Sequence, residues 1–209
     1  YGKETKLILQ LEMYDSKGNI TTVVSDESFM WSNDGATEFA DLKDGERVDA
    51  NKTPSYGSKA KVVEFNANLT ASDNVQVQEH ETFAPDELII TPSGKKVLKF
   101  PQNLSGYISF EVNATRGDKI HIVLGEMLDS NGELTLKNIQ CVHKGKPTPL
   151  QEIFYICKDG VNEYKPRFFY GGFRYAQVEG DAEFKKEDFR AIAVYSAFEE
   201  TSSFECSNE

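Results

Sequence analysis

The sequence of 209 residues lacks long apolar runs, paired cysteines and helical periodicity. Because a membrane-spanning helix needs ~20 consecutive apolar residues, the sequence predicts no transmembrane segment. Its three cysteines show no CxxC spacing, which argues against a disulfide framework and against a thiolate metal site. Heptad runs are missing too, and amphipathic stretches cover only a few residues, so helical folds are excluded.

The sequence has few basic residues, 23 against 34 acidic ones, and its formal net charge is -11. This balance repels phosphate backbones and anionic lipid headgroups, so the sequence predicts neither nucleic acid nor a membrane as a partner. A neutral ligand such as a sugar is compatible with the charge. An acidic surface also serves solubility, however, and by itself selects no ligand.

The dominant pattern that is present is a two-residue alternation of apolar and polar side chains. It begins in residues 6–14, where it predicts a half-buried strand. A loop of hairpin length with a glycine at 15–19 and the β-branched run at 20–24 then predict a hairpin. The apolar face of the first strand consists of Leu7, Leu9, Leu11 and Met13.

Short alternating strands separated by Gly, Asn or Asp recur from residue 97 to residue 198. This spacing predicts an all-β fold, an antiparallel β-sandwich of jelly-roll-like form, with part of a second β-domain at the N-terminus. A polar stretch at 68–74 places the boundary, giving domains 1–74 and 75–200. The turn at 158–161 predicts a hairpin between strands at 152–157 and 162–169.

Two acidic pairs deserve a test as catalytic groups, because glycoside hydrolysis needs two carboxyl groups at a fixed separation. Asp44 and Glu46 would lie about 6.6 Å apart on an extended strand, within the range for inverting enzymes. Such pairs are also common at turns, and a structural role is favoured. Glu126 and Asp129 are a similar case, since the segment 129–132 reads as a turn. The sequence thus predicts no catalytic residue.

The sequence contains no motif that indicates a metal site or a cofactor site. His80, His121 and His143 are far apart in sequence, and no HExxH motif places two ligands on one face. His121 alternates with Ile120 and Ile122, so it is expected to point away from their core. There is no GxSxG segment for a serine nucleophile. The expectation is therefore no metal, no cofactor and no nucleophile.

The densest aromatic segment lies at residues 164–175 and contains Tyr170 and Arg174. Together with Trp31, the only tryptophan, these two side chains are the candidates for a sugar-stacking site. The favoured alternative is structural: the two glycines at 171–172 permit a bend or bulge, and Arg174 donates structural hydrogen bonds. In that reading the sandwich core is filled by Phe168, Phe173 and Tyr175.

Five short blocks follow one another along the chain in a fixed order. The most specific is PRFFYGGFRYAQVEG at 166–180. The others lie at 44–50 (DGERVDA), 102–106 (QNLSG), 125–128 (GEML) and 202–208 (SSFECSN). Together they resemble the bacterial α-L-rhamnosidases of glycoside hydrolase family 78. Val48 and Pro101 stand where that family usually has Tyr and Gly.

The resemblance implies an accessory role. In the family the catalytic acids lie in a helical (α/α)6 barrel that starts just after the block at 202–208, and no residue here matches one of them. It implies that residues 1–74 are the later half of an N-terminal jelly-roll-like domain and that 201–209 begin a linker. The partner would be the helical catalytic domain of the same parent protein, which would cleave terminal α-L-rhamnosides by inversion.

Two functions from different classes follow. The first is a non-catalytic scaffold that braces the catalytic barrel of an α-L-rhamnosidase. The alternative is a carbohydrate-binding module for rhamnose-containing sugars, built on the aromatic candidates. A cell-surface adhesion domain is a third and weaker hypothesis.

Overall fold

The computed structural model describes residues 6–64, 66, 68–72, 75–199 and 201–207. The chain divides into two compact units, a smaller one of Tyr1–Gly35 with Thr53–Ala71 and a larger one of Ala36–Lys52 with Ser72–Glu209. Helix in the described residues is confined to one 3₁₀ turn at Lys186–Asp188. Nothing helical in that part of the chain has the length and apolar character to cross a membrane.

Strands account for the regular structure in both units, which confirms the predicted all-β class. In chain order they are β1 (Gln10–Tyr14), β2 (Ile20–Val24), β3 (Met30–Trp31), β4 (Thr37–Asp41), β5 (Gly45–Asp49), β6 (Ser58–Lys59), β7 (Val77–Phe83), β8 (Glu87–Ile90), β9 (Lys96–Ala114), β10 (Lys119–Gly125), β11 (Met127–Leu128), β12 (Leu134–Thr135), β13 (Cys141–His143), β14 (Lys146–Thr148), β15 (Glu152–Ile156), β16 (Gly160–Tyr164), β17 (Gly171–Gly180) and β18 (Phe189–Ser196).

The smaller unit contains two separate strand pairs. Strands β1 and β2 form the predicted antiparallel hairpin, and β3 pairs with β6. Asp15 holds the hairpin turn by accepting hydrogen bonds from the backbone N–H groups of Lys17 and Asn19. The prediction that β1 is half-buried is wrong, because every residue of β1 and β2 is exposed. Two strands offer too little surface to cover an apolar face.

The larger unit is built on one sheet that folds over itself. Its strand order is β4-β5-β15-β10-β17-β9-β18-β7, and β8 and β16 also pair with β9. The first part of β9 pairs with β8 and β17, whereas its last part pairs with β18 and β16. Strand β9 therefore belongs to both layers of a sandwich. All pairs on this sheet are antiparallel except β5 with β15.

The core lies between the two layers and follows the alternation of the sequence. Ile120, Ile122 and Leu124 of β10 are buried, as the alternation predicts. The Phe110 ring from one layer packs edge-on against the Tyr155 ring from the other, with centroids 5.2 Å apart. Because each fully buried large apolar side chain stabilises by ~1.5–3 kcal/mol, this interface dominates the stability of the unit.

Two contacts fix how β9 bends. At Gly106 a Cβ would lie 2.0 Å from the backbone oxygen of Ile192, so only glycine permits the close approach of β9 to β18. The pairing with β17 is interrupted between Phe173 and Tyr175. There the Arg174 side chain donates hydrogen bonds to the carbonyl oxygens of Phe100 and Pro101, at 3.2 and 3.3 Å. Arg174 thus replaces ladder bonds that the bulge removes.

The predicted hairpin at 158–161 is wrong. Strand β15 pairs with β10 and β5, whereas β16 pairs with β9 in the other layer. The buried Asn162 side chain accepts a hydrogen bond from the Lys158 N–H and donates to the carbonyls of Lys158 and Gly160. These bonds fold the chain into a corner between layers, so the local turn signal was correct but the strand partner was not.

Candidate functional site

A concave groove of about 1830 Å³ opens on the larger unit. Its floor comes from β7, β9 and β18, and its wall comes from residues 163–170 together with residues of β4 and β5. The groove therefore combines side chains that are distant in sequence. Its lining includes seven acidic groups (Asp41, Glu46, Glu79, Glu111, Glu163, Glu187 and Asp188) and three basic ones (Lys165, Arg167 and Arg190).

A tyrosine, an acid and a lysine form a connected cluster on the floor. The Tyr107 hydroxyl donates a hydrogen bond to the Glu79 carboxylate, and the Lys165 ammonium forms an ion pair with the same carboxylate. The Lys165 ammonium also lies 5.9 Å from the Tyr107 ring centroid. Tyr107 packs in a small buried cluster with Ile192 and Val194, so the phenol is held in place.

The contacts within the cluster shift the pKa values of Glu79 and Tyr107. The hydrogen bond from Lys165, followed by that from Tyr107, lowers the pKa of Glu79 below its ordinary value. Burial, followed by the hydrogen bond to Glu79, raises the pKa of Tyr107. At neutral pH the floor thus presents the Glu79 carboxylate and the protonated Tyr107 phenol next to the Lys165 side chain, which together offer acceptor and donor groups to a polar ligand.

The wall of the groove is held by a buried carboxylate, Glu46 of β5. Its oxygens accept hydrogen bonds from the Tyr164 hydroxyl at 2.8 Å and from the backbone N–H groups of Arg167 and Phe168 at 2.8 and 2.6 Å. Burial, followed by the charge of Glu46, raises the pKa of Tyr164. A buried carboxylate with three donors is a strong anchor, so the segment that follows Tyr164 has a defined course.

Gln151 provides a second anchor for the same segment. Its side-chain amide donates to the carbonyl oxygens of Leu124 and Gly172 at 2.9 and 3.1 Å, and its side-chain oxygen accepts from the Gly172 N–H at 3.1 Å. A Cβ on Gly171 would lie 2.2 Å from that oxygen. Between the two anchors, Phe168 and Tyr170 line the groove while remaining 57% and 45% exposed.

The three sequence candidates for sugar binding occupy different places. Tyr170 lines the groove. Arg174 is committed to two backbone carbonyls of β9. Trp31 lies on β3 in the smaller unit, where it is 51% exposed. The structure therefore places only Tyr170 among the groove residues.

The expected core set of the aromatic segment needs a correction. Phe173 is fully buried, and its ring packs edge-on against Phe100 at 5.8 Å. Phe168 was expected in the core but is exposed, and its neighbour Phe169 is buried instead. The hydrogen bonds from two backbone N–H groups to Glu46 fix the local course of the chain, which shifts the inward position by one residue. Tyr175 is only half-buried.

The members of the two acidic pairs, Asp44 with Glu46 and Glu126 with Asp129, each accept hydrogen bonds from different partners. Asp44 accepts from the Thr148 hydroxyl and the Leu150 N–H, at 3.1 and 3.2 Å, while Glu46 is buried within the groove wall. Glu126 accepts from the Asn138 side-chain amide at 2.7 Å. Asp129 caps a turn by accepting from the N–H groups of Asn131 and Glu133.

The histidines do not gather into a site. His121 points away from the core, where it stacks on Phe154 with centroids 3.9 Å apart. His80 stacks on Tyr195 at 3.6 Å, and His143 ends the short strand β13. Over the described ranges, no three His, Cys, Asp or Glu side chains are arranged to hold a metal ion.

Sequence reasoning missed the floor cluster. Tyr107, Ser109 and Glu111 alternate with the buried Ile108 and Phe110, so the outward face of β9 was readable from the pattern. Nothing local indicated that β7 and residue 165 would meet this face, because those contacts depend on long-range pairing.

Comparison with known proteins gives consistent matches. Residues 89–195 match the family described as the bacterial alpha-L-rhamnosidase concanavalin-like domain. An alpha-L-rhamnosidase of Formosa agariphila is 27% identical over 224 aligned residues, which cover 100% of this chain and 23% of that protein. An alpha-L-rhamnosidase of Alteromonas sp. is 24% identical over 88% of this chain and 21% of its own length.

Two solved structures have the same fold over nearly the whole chain. The alpha-L-rhamnosidase from Dictyoglumus thermophilum superposes with a TM-score of 0.80 at 27% identity, covering 96% of this chain and 23% of that one. The enzyme from Aspergillus terreus gives 0.77 at 27% identity, covering 96% and 24%. The chain thus spans less than a quarter of the length of the relatives that it matches.

Proposed function

The chain belongs to the family of the bacterial alpha-L-rhamnosidase concanavalin-like domain, and we propose that it is a non-catalytic accessory region of an α-L-rhamnosidase. The parent protein would hydrolyse terminal α-L-rhamnosides from glycans or glycosides. The β-sandwich would act as a scaffold for the catalytic domain. The matched relatives bear the name alpha-L-rhamnosidase and are about four times longer than the aligned region, which supports this division of labour.

The main support for a non-catalytic role is that the candidate acids Asp44 and Glu46 are already engaged in hydrogen bonds within the protein. Glycosidases need one carboxyl group to protonate the leaving oxygen and another to act on the opposite face of the sugar. Glu46 is buried and accepts hydrogen bonds from three donors, and Asp44 is bonded to the backbone of residue 150. Groups engaged in this way are poorly placed to exchange protons with a substrate.

The proposed partner is a helical catalytic domain of the same parent protein. The larger unit suits a bracing role because its two stacked layers share the strand β9 and enclose one hydrophobic core. A scaffold needs a stable core, and this unit holds every buried hydrophobic side chain of the described residues. Its surface would bury part of its area against the catalytic domain.

We further propose that, within residues 1–74, the strands of the smaller unit belong to a jelly-roll-like domain completed by other strands of the parent protein, while β4 and β5 join the sheet of domain 75–200 and a linker at 201–209 follows. The exposed apolar side chains of β1 and β2 support this proposal. An isolated hairpin is marginally stable in water, and open strand edges readily take up further strands.

One experiment tests catalysis directly. Incubation of the purified chain with an aryl α-L-rhamnoside is expected to release no phenol above the buffer rate. Measurable turnover would contradict the proposal. Glu46→Gln and Glu126→Gln variants would then show whether either acid is responsible.

A second experiment tests the scaffold and domain proposals. Hydrogen exchange is compared between this chain alone and the same residues within the full-length parent protein. We expect the amides of β1 and β2, and one surface of the larger unit, to exchange at least roughly tenfold more slowly in the parent. Equal exchange throughout would contradict both proposals.

A further inference from the structure

The groove of the larger unit carries features that bracing a neighbouring domain does not require. Exposed aromatic rings stand on its wall, a fixed cluster of Glu79, Tyr107 and Lys165 lies on its floor, and acidic groups predominate in its lining. We propose that this groove binds a neutral oligosaccharide, with Phe168 and Tyr170 stacking on sugar rings and Glu79 and Lys165 bonding to sugar hydroxyl groups.

The aromatic wall is preorganised. Exposed rings on a mobile loop lose conformational freedom when a ligand binds, which reduces affinity. Here Glu46 fixes the backbone at Phe168 and Gln151 fixes it at Gly172, so Tyr170 lies between two anchors. Rings carried on a backbone that is held in this way present an apolar surface at a reduced entropic cost, and the apolar face of a pyranose suits such a surface.

The floor supplies matching polar groups. The Glu79 side chain keeps 44% of its surface exposed despite its bonds to Tyr107 and Lys165. A carboxylate has about four lone-pair positions and an ammonium has three protons, so Glu79 and Lys165 each retain bonding capacity. Vicinal sugar hydroxyl groups both donate and accept, and they can use the carboxylate and the ammonium together.

Charge and size narrow the class of ligand. Seven acidic groups against three basic ones disfavour phosphorylated or uronate-rich ligands. A volume of about 1830 Å³ exceeds the ~300–1,000 Å³ typical of pockets for single small molecules. The groove therefore suits a neutral ligand of several sugar units. The expectation that rhamnose is one of those units rests on the proposed function. The proposal that the groove binds a neutral oligosaccharide does not depend on it.

The test is a titration of the chain with three probes. The probes are an α-linked rhamno-oligosaccharide, a matched cello-oligosaccharide and an oligogalacturonate. Binding is measured by calorimetry and by the chemical shifts of backbone amides. We expect saturable binding of the neutral rhamno-oligosaccharide at millimolar concentration, with amide shifts at Lys165 and at residues 167–170. The Trp31 indole N–H is an internal reporter of the smaller unit and should not shift.

Matched variants locate the site. Tyr170→Ala and Glu79→Gln are each expected to weaken binding by about tenfold, from lost stacking and from a lost charge-assisted hydrogen bond. Tyr56→Ala removes a tyrosine of the smaller unit that is 62% exposed, against 45% for Tyr170, and Glu87→Gln removes an acid that pairs with Lys99 outside the groove. Both controls should bind as the unmodified chain does.

The outcomes separate the groove from the proposed function. Binding of both neutral probes with equal strength would support the groove and count against a rhamnose-specific context. The groove proposal would be overturned if neither neutral probe binds or if only the oligogalacturonate binds. A chemical-shift change confined to Trp31 would overturn it too. Burial of Tyr170 by a protein segment in the full-length parent, seen as lost reactivity of a Tyr170→Cys thiol, would overturn it as well.

Discussion

The smaller and larger units share a sequence pattern but differ in what becomes of their apolar side chains. In β1 the alternating residues Leu11 and Met13 are exposed, whereas in β10 the equally regular Ile120 and Ile122 are fully buried. The pattern is the same because alternation reports only which side chains share a face. Burial depends on a second layer, and the larger unit supplies that layer through the bend of β9.

The largest expected effect separates the two units by core truncation. Phe173→Ala in the larger unit should reduce the free energy of unfolding by ~3–5 kcal/mol, because the ring is fully buried against Phe100. Leu11→Ala in β1 should change it by less than about 0.5 kcal/mol, since that side chain is already exposed. Urea unfolding followed by tyrosine fluorescence measures both.

Thiol labelling provides an independent readout of the same comparison. Burial raises the pKa of Cys157 to about 11, so this thiol should react only when the larger unit opens. Phe173→Ala should accelerate its labelling, and Leu11→Ala should leave the rate unchanged. Equal acceleration by both variants would show that the two units unfold together.

The second comparison uses two glycines with ordinary backbone angles. Gly106→Ala should destabilise the larger unit by ~3 kcal/mol, because the new Cβ meets the backbone oxygen of Ile192 at 2.0 Å. Gly57→Ala in the smaller unit meets no atom within 4 Å and should be neutral within about 0.5 kcal/mol. Thermal unfolding of both variants checks the difference, and a neutral Gly106→Ala would contradict the close contact of β9 with β18.

The third comparison concerns two carboxylates with similar donors. Glu46→Gln should cost about 2 kcal/mol, since it leaves a buried backbone N–H or the Tyr164 hydroxyl without an acceptor. Asp34 in the smaller unit also accepts hydrogen bonds from Ser32 and Ser55, but it is exposed and water can replace them. Asp34→Asn should therefore have a much smaller effect. An equal loss in the two variants would contradict the anchoring role of Glu46.

The smallest effect is confined to alkaline pH. Burial raises the folded-state pKa of Tyr107, Tyr155 and Tyr164 above the ordinary value of 10.0, so the unfolded chain ionises first. Their contribution to stability is complete below pH 10 and falls as the pH rises above it. Phenolate absorbance should show these three tyrosines ionising only as the larger unit unfolds. Ionisation of all nine tyrosines in one step without unfolding would argue against their burial.

Sequence alone predicted the class of fold and many of its strands, because alternation and turn residues are local signals. It failed where a partner distant in sequence decides the outcome. The hairpin expected at 158–161 is a corner because β16 pairs with β9, and the exposed position of Phe168 follows from its bond to Glu46. The groove could not be predicted from the sequence for the same reason. Glu79 lies on β7 and Lys165 directly follows β16, and the two side chains meet only after both of these strands have joined the sheet.

The shared strand β9 also has a consequence for how the chain folds during synthesis. Residues 96–114 leave the ribosome well before their partners at 171–180 and 189–196. Neither layer can be completed early, so we expect the larger unit to fold as one cooperative step after its last strand is made, at the slow rates typical of long-range β pairing. Until then β9 presents unpaired edges, which makes the nascent chain a substrate for chaperones that bind extended apolar segments.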